Sequence, residues 1–187
     1  MSKILILSLF LTIGFTSCKN SEKEVDKIEI AKSYYDNLNN SDYSGTTELF
    51  SDSLTTKEGE YITNYSKSEY VELLKWDFVF SPSHEILEIE QQDGIVKAKI
   101  SKRCKRILFL HEKPFITNQI IRFQKNKIVT IETDYTNFNE KTWERNKTGL
   151  INWIDENNPE LNGSINDLTE SGGIKLLKAI ELYENKK

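Results

Sequence analysis

The sequence has 187 residues, a length typical of one domain, and a formal charge of −4 from 25 Lys+Arg and 29 Asp+Glu. This acidic balance argues against a nucleic-acid partner, which usually needs a strongly basic patch. Three Pro, eight Gly and two Cys exclude collagen-like chains, Pro/Gly-rich linkers and disulfide-rich scaffolds.

Residues 1–17 have the pattern of a secretory signal. A single charge at Lys3 precedes the twelve-residue apolar run 4–15, which is too short to span a bilayer because a spanning helix takes about 20 residues. The following Phe15-Thr16-Ser17-Cys18 resembles the lipobox of bacterial lipoproteins, in which the cysteine sulfur is acylated and the chain is cut before it. The resemblance implies lipidation of Cys18; the alternative is an ordinary signal peptide with an incidental cysteine.

Residues 18–24 are predicted to form a short polar tether that holds the protein on a membrane, since several acyl chains together anchor stably. The residue after the cysteine is Lys19, whereas Asp there is typical of lipoproteins kept at the inner membrane. The resemblance therefore implies the outer membrane of a Gram-negative cell envelope. Acylation of Cys18 would leave Cys104 as the one free thiol, which excludes an intrachain disulfide.

Apolar residues at helical spacing and two capping boxes predict helices in the first part of the mature chain. One capping box is Ser21 with Glu24, and the other is Ser66 with Glu69. In chain order the predicted segments are a helix that ends at 39–40, a short helix over about 42–53, a loop or short hairpin over 55–65 and a second long helix that ends at 81–82.

Alternating apolar residues predict strands in the next part. The hairpin around Lys125-Asn126 is expected to place Phe123 opposite Ile128 and Arg122 opposite Val129. In chain order the predicted segments are a strand around 86–89, a turn at 92–94, a long strand over 95–110, strands over 115–123 and 127–135, and then two helices separated by a loop over 160–167.

The order of these elements resembles the nuclear transport factor 2-like family of cone-shaped α+β domains. The hairpin Arg122-Phe-Gln-Lys-Asn-Lys-Ile128 resembles the final hairpin of that family, and the last strand ends in Asp134-Tyr135. The resemblance implies an α+β fold over 25–137, with N-terminal helices packed on a strongly curved antiparallel sheet. The remaining 138–187 is predicted to be a C-terminal helical extension that packs on the outside of the cone or caps its mouth.

Members of this family enclose a pocket in which enzymes place acids, bases or tyrosines, while many relatives are non-catalytic. Cys104 and Arg106 share the alternation of the predicted strand over 95–110 and are expected to face inward; the alternative is a solvated basic patch. A buried arginine needs an anion, either an internal carboxylate or a ligand. Asp77, beside Trp76, would serve as a general base if apolar surroundings raised its pKa; the alternative is a carboxylate bonded to a Tyr or Arg.

The sequence holds no recognised catalytic constellation. His84 and His111 lack the spacing of metal ligands and are expected at the surface, and we predict neither a metal site nor a cofactor. We therefore expect a non-catalytic binding or accessory module; the alternative is a lyase, isomerase or hydrolase acting on a small molecule in the pocket. A small-molecule ligand, an envelope protein and a second copy of the chain are the partners considered. The pocket candidates are Tyr34, Trp76, Asp77, Cys104, Arg106, Arg122 and Tyr135.

Overall fold

A computed structural model describes residues 26–185 of the chain. The predicted signal peptide, the predicted lipidation at Cys18 and the predicted capping box at Ser21 lie outside the described residues. In the described part, no helix is long and apolar enough to cross a membrane.

Helices and strands occur in an order that matches the predicted α+β fold. Two short 3-10 turns, Pro159–Leu161 and Ser164–Asn166, separate the last two helices. The elements are α1 (Lys27–Asn39), α2 (Tyr43–Glu48), β1 (Phe50–Glu58), β2 (Tyr61–Ser66), α3 (Lys67–Phe78), β3 (Ser83–Gln92), β4 (Ile95–Arg103), α4 (Lys105–His111), β5 (Phe115–Gln124), β6 (Lys127–Tyr135), α5 (Glu140–Asn157) and α6 (Glu170–Glu184).

The six strands form one curved sheet in the order β2-β1-β6-β5-β4-β3. Neighbouring strands are antiparallel except β1 and β6, which are parallel. The predicted fold of helices on a curved, largely antiparallel sheet is therefore confirmed. Helices α1 and α3 bury their apolar residues against one face of this sheet.

Local sequence explains where several elements begin and end. Ser66 and Glu69 make the predicted capping box at the start of α3. Asp93 and Gly94 both have positive φ, at 52° and 77°, and form the two-residue turn between β3 and β4. Such turns match the right-handed twist of the paired strands.

The predicted helix over 42–53 is wrong in its second half, where β1 begins. Phe50 and Leu54 are buried four residues apart, a spacing that fits one face of a helix and also one face of a strand. Hydrogen bonding to β6 on one side and β2 on the other decides for the strand. The hairpin offered as one interpretation of 55–65 is present as β1 and β2.

The predicted long strand over 95–110 is wrong beyond Arg103. Cys104 is the N-cap of α4, and its Sγ accepts a hydrogen bond from the backbone N–H of Ile107 at 3.4 Å. Ile107 and Leu110, three residues apart, are the buried positions that fix this short helix. The alternation of β4 therefore does not predict the direction of the side chains of α4.

The predicted register of the last hairpin is correct at one pair and wrong at the next. Phe123 lies opposite Ile128, but Arg122 lies opposite Thr130. A β-bulge at this point sets two residues of β6 against one residue of β5, so that Val129 has no direct partner.

The C-terminal extension packs on the helical side of the domain. Its helices α5 and α6 join α3 and α4 in a second apolar core that is separate from the core under the sheet. Leu150 and Leu176 are fully buried in it. Gly173 allows close approach, because a Cβ at this position would lie 3.1 Å from the ring of Trp76.

Candidate ligand-binding site

A cavity of about 590 Å³ lies between the inner face of the sheet, α1 and α3. The side chains that line it include five Tyr, two Trp and two Phe. Three lining residues belong to the C-terminal extension: Phe138, Trp143 and Leu168. The extension therefore contributes part of the wall of the cavity.

Five of the seven pocket candidates line this cavity: Tyr34, Trp76, Asp77, Arg106 and Tyr135. The other two lie elsewhere. Cys104 is buried in the second core, where burial raises the pKa of its thiol. Arg122 is exposed, and its Nε donates to Glu132 at 2.7 Å. Cys104 lies outside the cavity because β4 ends at Arg103, before the alternation reaches it.

Arg106 reaches the cavity from α4 rather than from the strand that the alternation had predicted. Its guanidinium carbon lies 4.8 Å from the centre of the Trp76 ring and 5.6 Å from that of Trp143. These distances are typical of cation–π contacts. In such contacts the faces of the guanidinium lie on aromatic rings, and its N–H groups remain available as hydrogen-bond donors. No carboxylate of residues 26–185 forms an ion pair with Arg106, and its buried Nε has no hydrogen-bond partner.

Asp77 forms the one buried ion pair of the cavity wall in the described chain. Lys102 Nζ donates to its Oδ2 at 2.7 Å. Burial alone would raise the pKa of Asp77, but the charge and hydrogen bond of Lys102, with a smaller effect of Arg106, hold it below its usual value. The condition for a general-base role, a raised pKa, is therefore not met; Asp77 is the bonded carboxylate of the alternative, with a lysine as its partner instead of the expected Tyr or Arg.

Both histidines differ from the expectation that they lie at the surface. His84 lines the cavity, and burial together with the charge of Lys102 lowers its pKa to about 3, so that the ring is neutral at pH 7. His111 is buried away from the cavity, where its Nε2 accepts from the backbone N–H of Asn139 at 3.0 Å. It fixes the junction between the sheet and the extension.

Tyrosine hydroxyls supply neutral hydrogen-bonding groups to the cavity. The hydroxyls of Tyr34 and Tyr70 lie 2.8 Å apart, and Tyr35 donates to Gln119 at 2.6 Å. Burial raises the pKa of Tyr34 to about 12 and raises that of Tyr135 as well. These phenols therefore remain protonated at neutral pH.

Buried polar atoms without a hydrogen-bond partner concentrate at this cavity. Among residues 26–185 there are five such side-chain atoms, and four of them belong to residues that line it. They are Trp76 Nε1, Asp77 Oδ1, Arg106 Nε and Thr117 Oγ1. Because an unsatisfied buried polar group costs about 1–3 kcal/mol, the residues of this wall carry most of the unsatisfied side-chain polarity of the described chain.

Sequence reasoning missed Lys102, Thr117, His84 and the lining residues of the extension. The alternation of buried residues along β4 and β5 could have identified two of them. Lys102 lies on the same face of its strand as Ile100, and Thr117 lies on the same face as Ile121. No cluster of three or more His, Cys, Asp or Glu in the described residues is arranged to hold a metal ion.

Solved structures with the same fold provide the comparison with known proteins. One is a nuclear transport factor 2-like protein of unknown function from Cytophaga hutchinsonii, with a TM-score of 0.50 and 7% identity over 61% of this chain and 93% of the other. A putative ketosteroid isomerase from Kribbella flavida has a TM-score of 0.51 and 7% identity over 61% and 80%. The epoxide hydrolase/cyclase-like enzyme SalBIII of salinomycin pyran-ring formation has a TM-score of 0.52 and 16% identity over 60% and 92%.

These similarities show that the chain has the nuclear transport factor 2-like fold, as its sequence predicted. No family model and no curated protein matches the sequence. Identities this low define the fold alone, and the same fold carries catalytic and non-catalytic sites. Function must therefore be argued from the cavity.

Proposed function

We propose that this protein is a lipid-anchored binding module of the bacterial cell envelope that holds a small, largely apolar molecule in its cavity. The observation that carries the proposal is the cavity of about 590 Å³, lined by nine aromatic side chains with a few unpartnered polar atoms among them. This volume and composition are typical of small-molecule sites, which are mostly apolar and carry a few polar groups that orient the ligand.

The acidic and basic groups of the cavity support binding rather than proton transfer. A general acid or base works best with a pKa near the operating pH. Lys102 holds the pKa of Asp77 below its usual value, while burial keeps the pKa of His84 at about 3. Neither group is poised to exchange a proton near pH 7, so these residues favour a non-catalytic role over the lyase, isomerase or hydrolase alternative.

The lipobox-like Phe15-Thr16-Ser17-Cys18 supports the membrane anchor. Acylation would place the cavity close to an envelope membrane, which Lys19 after the cysteine indicates is the outer one. Replacing Cys18 with Ala should abolish labelling by a radioactive fatty acid and release the protein from the membrane fraction. Unchanged labelling of the Ala variant would contradict the anchor.

Native mass spectrometry of the protein purified from its own host tests the binding role. We expect a small molecule to accompany the wild-type protein. Thr133→Trp, which adds a large ring to the cavity wall, should lose it, whereas Arg122→Met, which changes an exposed side chain outside the cavity, should retain it. A wild-type protein without a bound molecule, or conversion of the bound molecule during incubation, would contradict the proposal.

A further inference from the structure

Lys102, Arg106 and Asp77 form a cluster on the cavity wall that contains two cations and one carboxylate. Lys102 and Arg106 are both cationic, and Asp77 is the buried carboxylate beside them. His84 is neutral at pH 7. The other carboxylate of the wall is Glu58, which is exposed and accepts a hydrogen bond from Tyr135 at 3.1 Å.

Arg106 is the cation of this group that has no anion. Lys102 donates directly to Asp77 Oδ2, whereas Arg106 interacts with Asp77 over a longer distance and forms no ion pair in residues 26–185. A charged group removed from water needs a partner to offset the loss of hydration. The remaining excess is one positive charge, which a singly charged anion would neutralise.

Aromatic rings hold the guanidinium of Arg106 in place. Trp76, Trp143 and Phe80 surround it at 4.8, 5.6 and 5.8 Å from ring centre to guanidinium carbon. Contacts with ring faces leave the planar edge of the guanidinium for hydrogen bonds, and that edge fits both oxygens of a carboxylate. A cation already fixed in this way loses little further freedom when it binds an anion.

We infer that the ligand is a small apolar or aromatic carboxylic acid, whose carboxylate binds the guanidinium of Arg106 while its body contacts the aromatic wall. This inference rests on the proposed function and names its ligand class. Arg106, held on the ring of Trp76, forms the carboxylate subsite, and Phe115, Phe138 and Trp143 provide the surface for the body of the ligand.

Pairs of acids and their amides test the subsite, because each pair has the same shape and differs in charge. We suggest benzoate with benzamide, phenylacetate with phenylacetamide, and 2-naphthoate with 2-naphthamide. Binding to the full lipidated protein in nanodiscs is measured by calorimetry, with empty nanodiscs as the blank. We expect at least one acid to bind about tenfold to a hundredfold more tightly than its amide, the range for a charge-assisted hydrogen bond.

Variants identify the residue that makes the protein bind the acid more tightly than the amide. Arg106→Met should abolish this preference, because the affinity for the acid falls far more than the affinity for the amide, and Arg106→Lys, which keeps the charge, should restore part of it. Trp76→Phe, which keeps an aromatic face for the guanidinium, should keep most of it. Arg122→Met is the control for the loss of an arginine outside the cavity and should keep the full preference.

Three results would overturn the inference. Equal binding of acid and amide to the wild-type protein would mean that water satisfies the donors; the proposed binding role would then stand without a carboxylate subsite. An acid preference that survives Arg106→Met would place the anion elsewhere. If no probe binds, the carboxylic acid class is wrong, and the native mass spectrum of the host protein decides separately whether the binding role also fails.

Discussion

Replacement of Leu176 by Ala tests whether the C-terminal extension is an integral part of the domain. Leu176 lies in α6 and is 0% exposed in the core that α6 shares with α3, α4 and α5. A buried Leu→Ala change costs about 2–5 kcal/mol, from the lost burial and the cavity that remains. In a chain of this length about 1 kcal/mol corresponds to roughly 2–4 °C, so we expect the melting temperature to fall by about 5–15 °C.

Leu182→Ala is the matched control, because it makes the same chemical change in the same helix at a residue that is 38% exposed. Thermal unfolding followed by circular dichroism, together with urea unfolding, should show a small effect for the control and a large one for Leu176→Ala. Equal melting temperatures for the two variants would refute the reasoning, since they would show that α6 is not packed against the rest of the domain.

Three further predictions concern charges of the cavity and a residue of α5. Because the folded pKa of His84 is about 3 and an unfolded histidine has a pKa of about 6.5, stability should fall as the pH drops from 6.5 to 4, by at most about 1.4 kcal/mol per unit. Denaturation of His84→Gln should show a shallower slope; an unchanged slope would contradict the buried neutral ring. Lys102→Met leaves Asp77 unpaired and should cost about 3 kcal/mol, whereas Lys99→Met in an exposed ion pair should cost less than about 1 kcal/mol in the same urea titrations. Trp153→Ala should lower the melting temperature measurably, because this half-buried ring packs edge-to-face on a tyrosine of α6; a wild-type melting curve would contradict that packing.

Local signals made much of the fold predictable. Ser66 and Glu69 define a helix start by themselves, and Asp93-Gly94 defines a hairpin turn, because each signal depends on neighbours in the sequence. Phe50 and Leu54 could not be assigned in this way, since their spacing fits a helix face and a strand face equally. The pairing of β1 with β6, which are distant in sequence, decides between the two.

The candidate site was predictable in part, and the failures have identifiable causes. Cys104 is not a typical N-cap residue, so nothing marked the end of β4, and the predicted strand over 95–110 extended seven residues beyond Arg103. Arg106 lines the cavity because of its place on α4. The ion pair of Asp77 with Lys102 depends on where α3 meets the sheet, which the residue pattern does not specify.

An experimental structure of the protein with bound 2-naphthoate tests the central claim most directly. The account predicts the naphthalene ring inside the cavity, with a carboxylate oxygen about 2.7–3.0 Å from a nitrogen of Arg106. A ligand bound outside the cavity, or inside it with the carboxylate directed away from Arg106, would contradict the account.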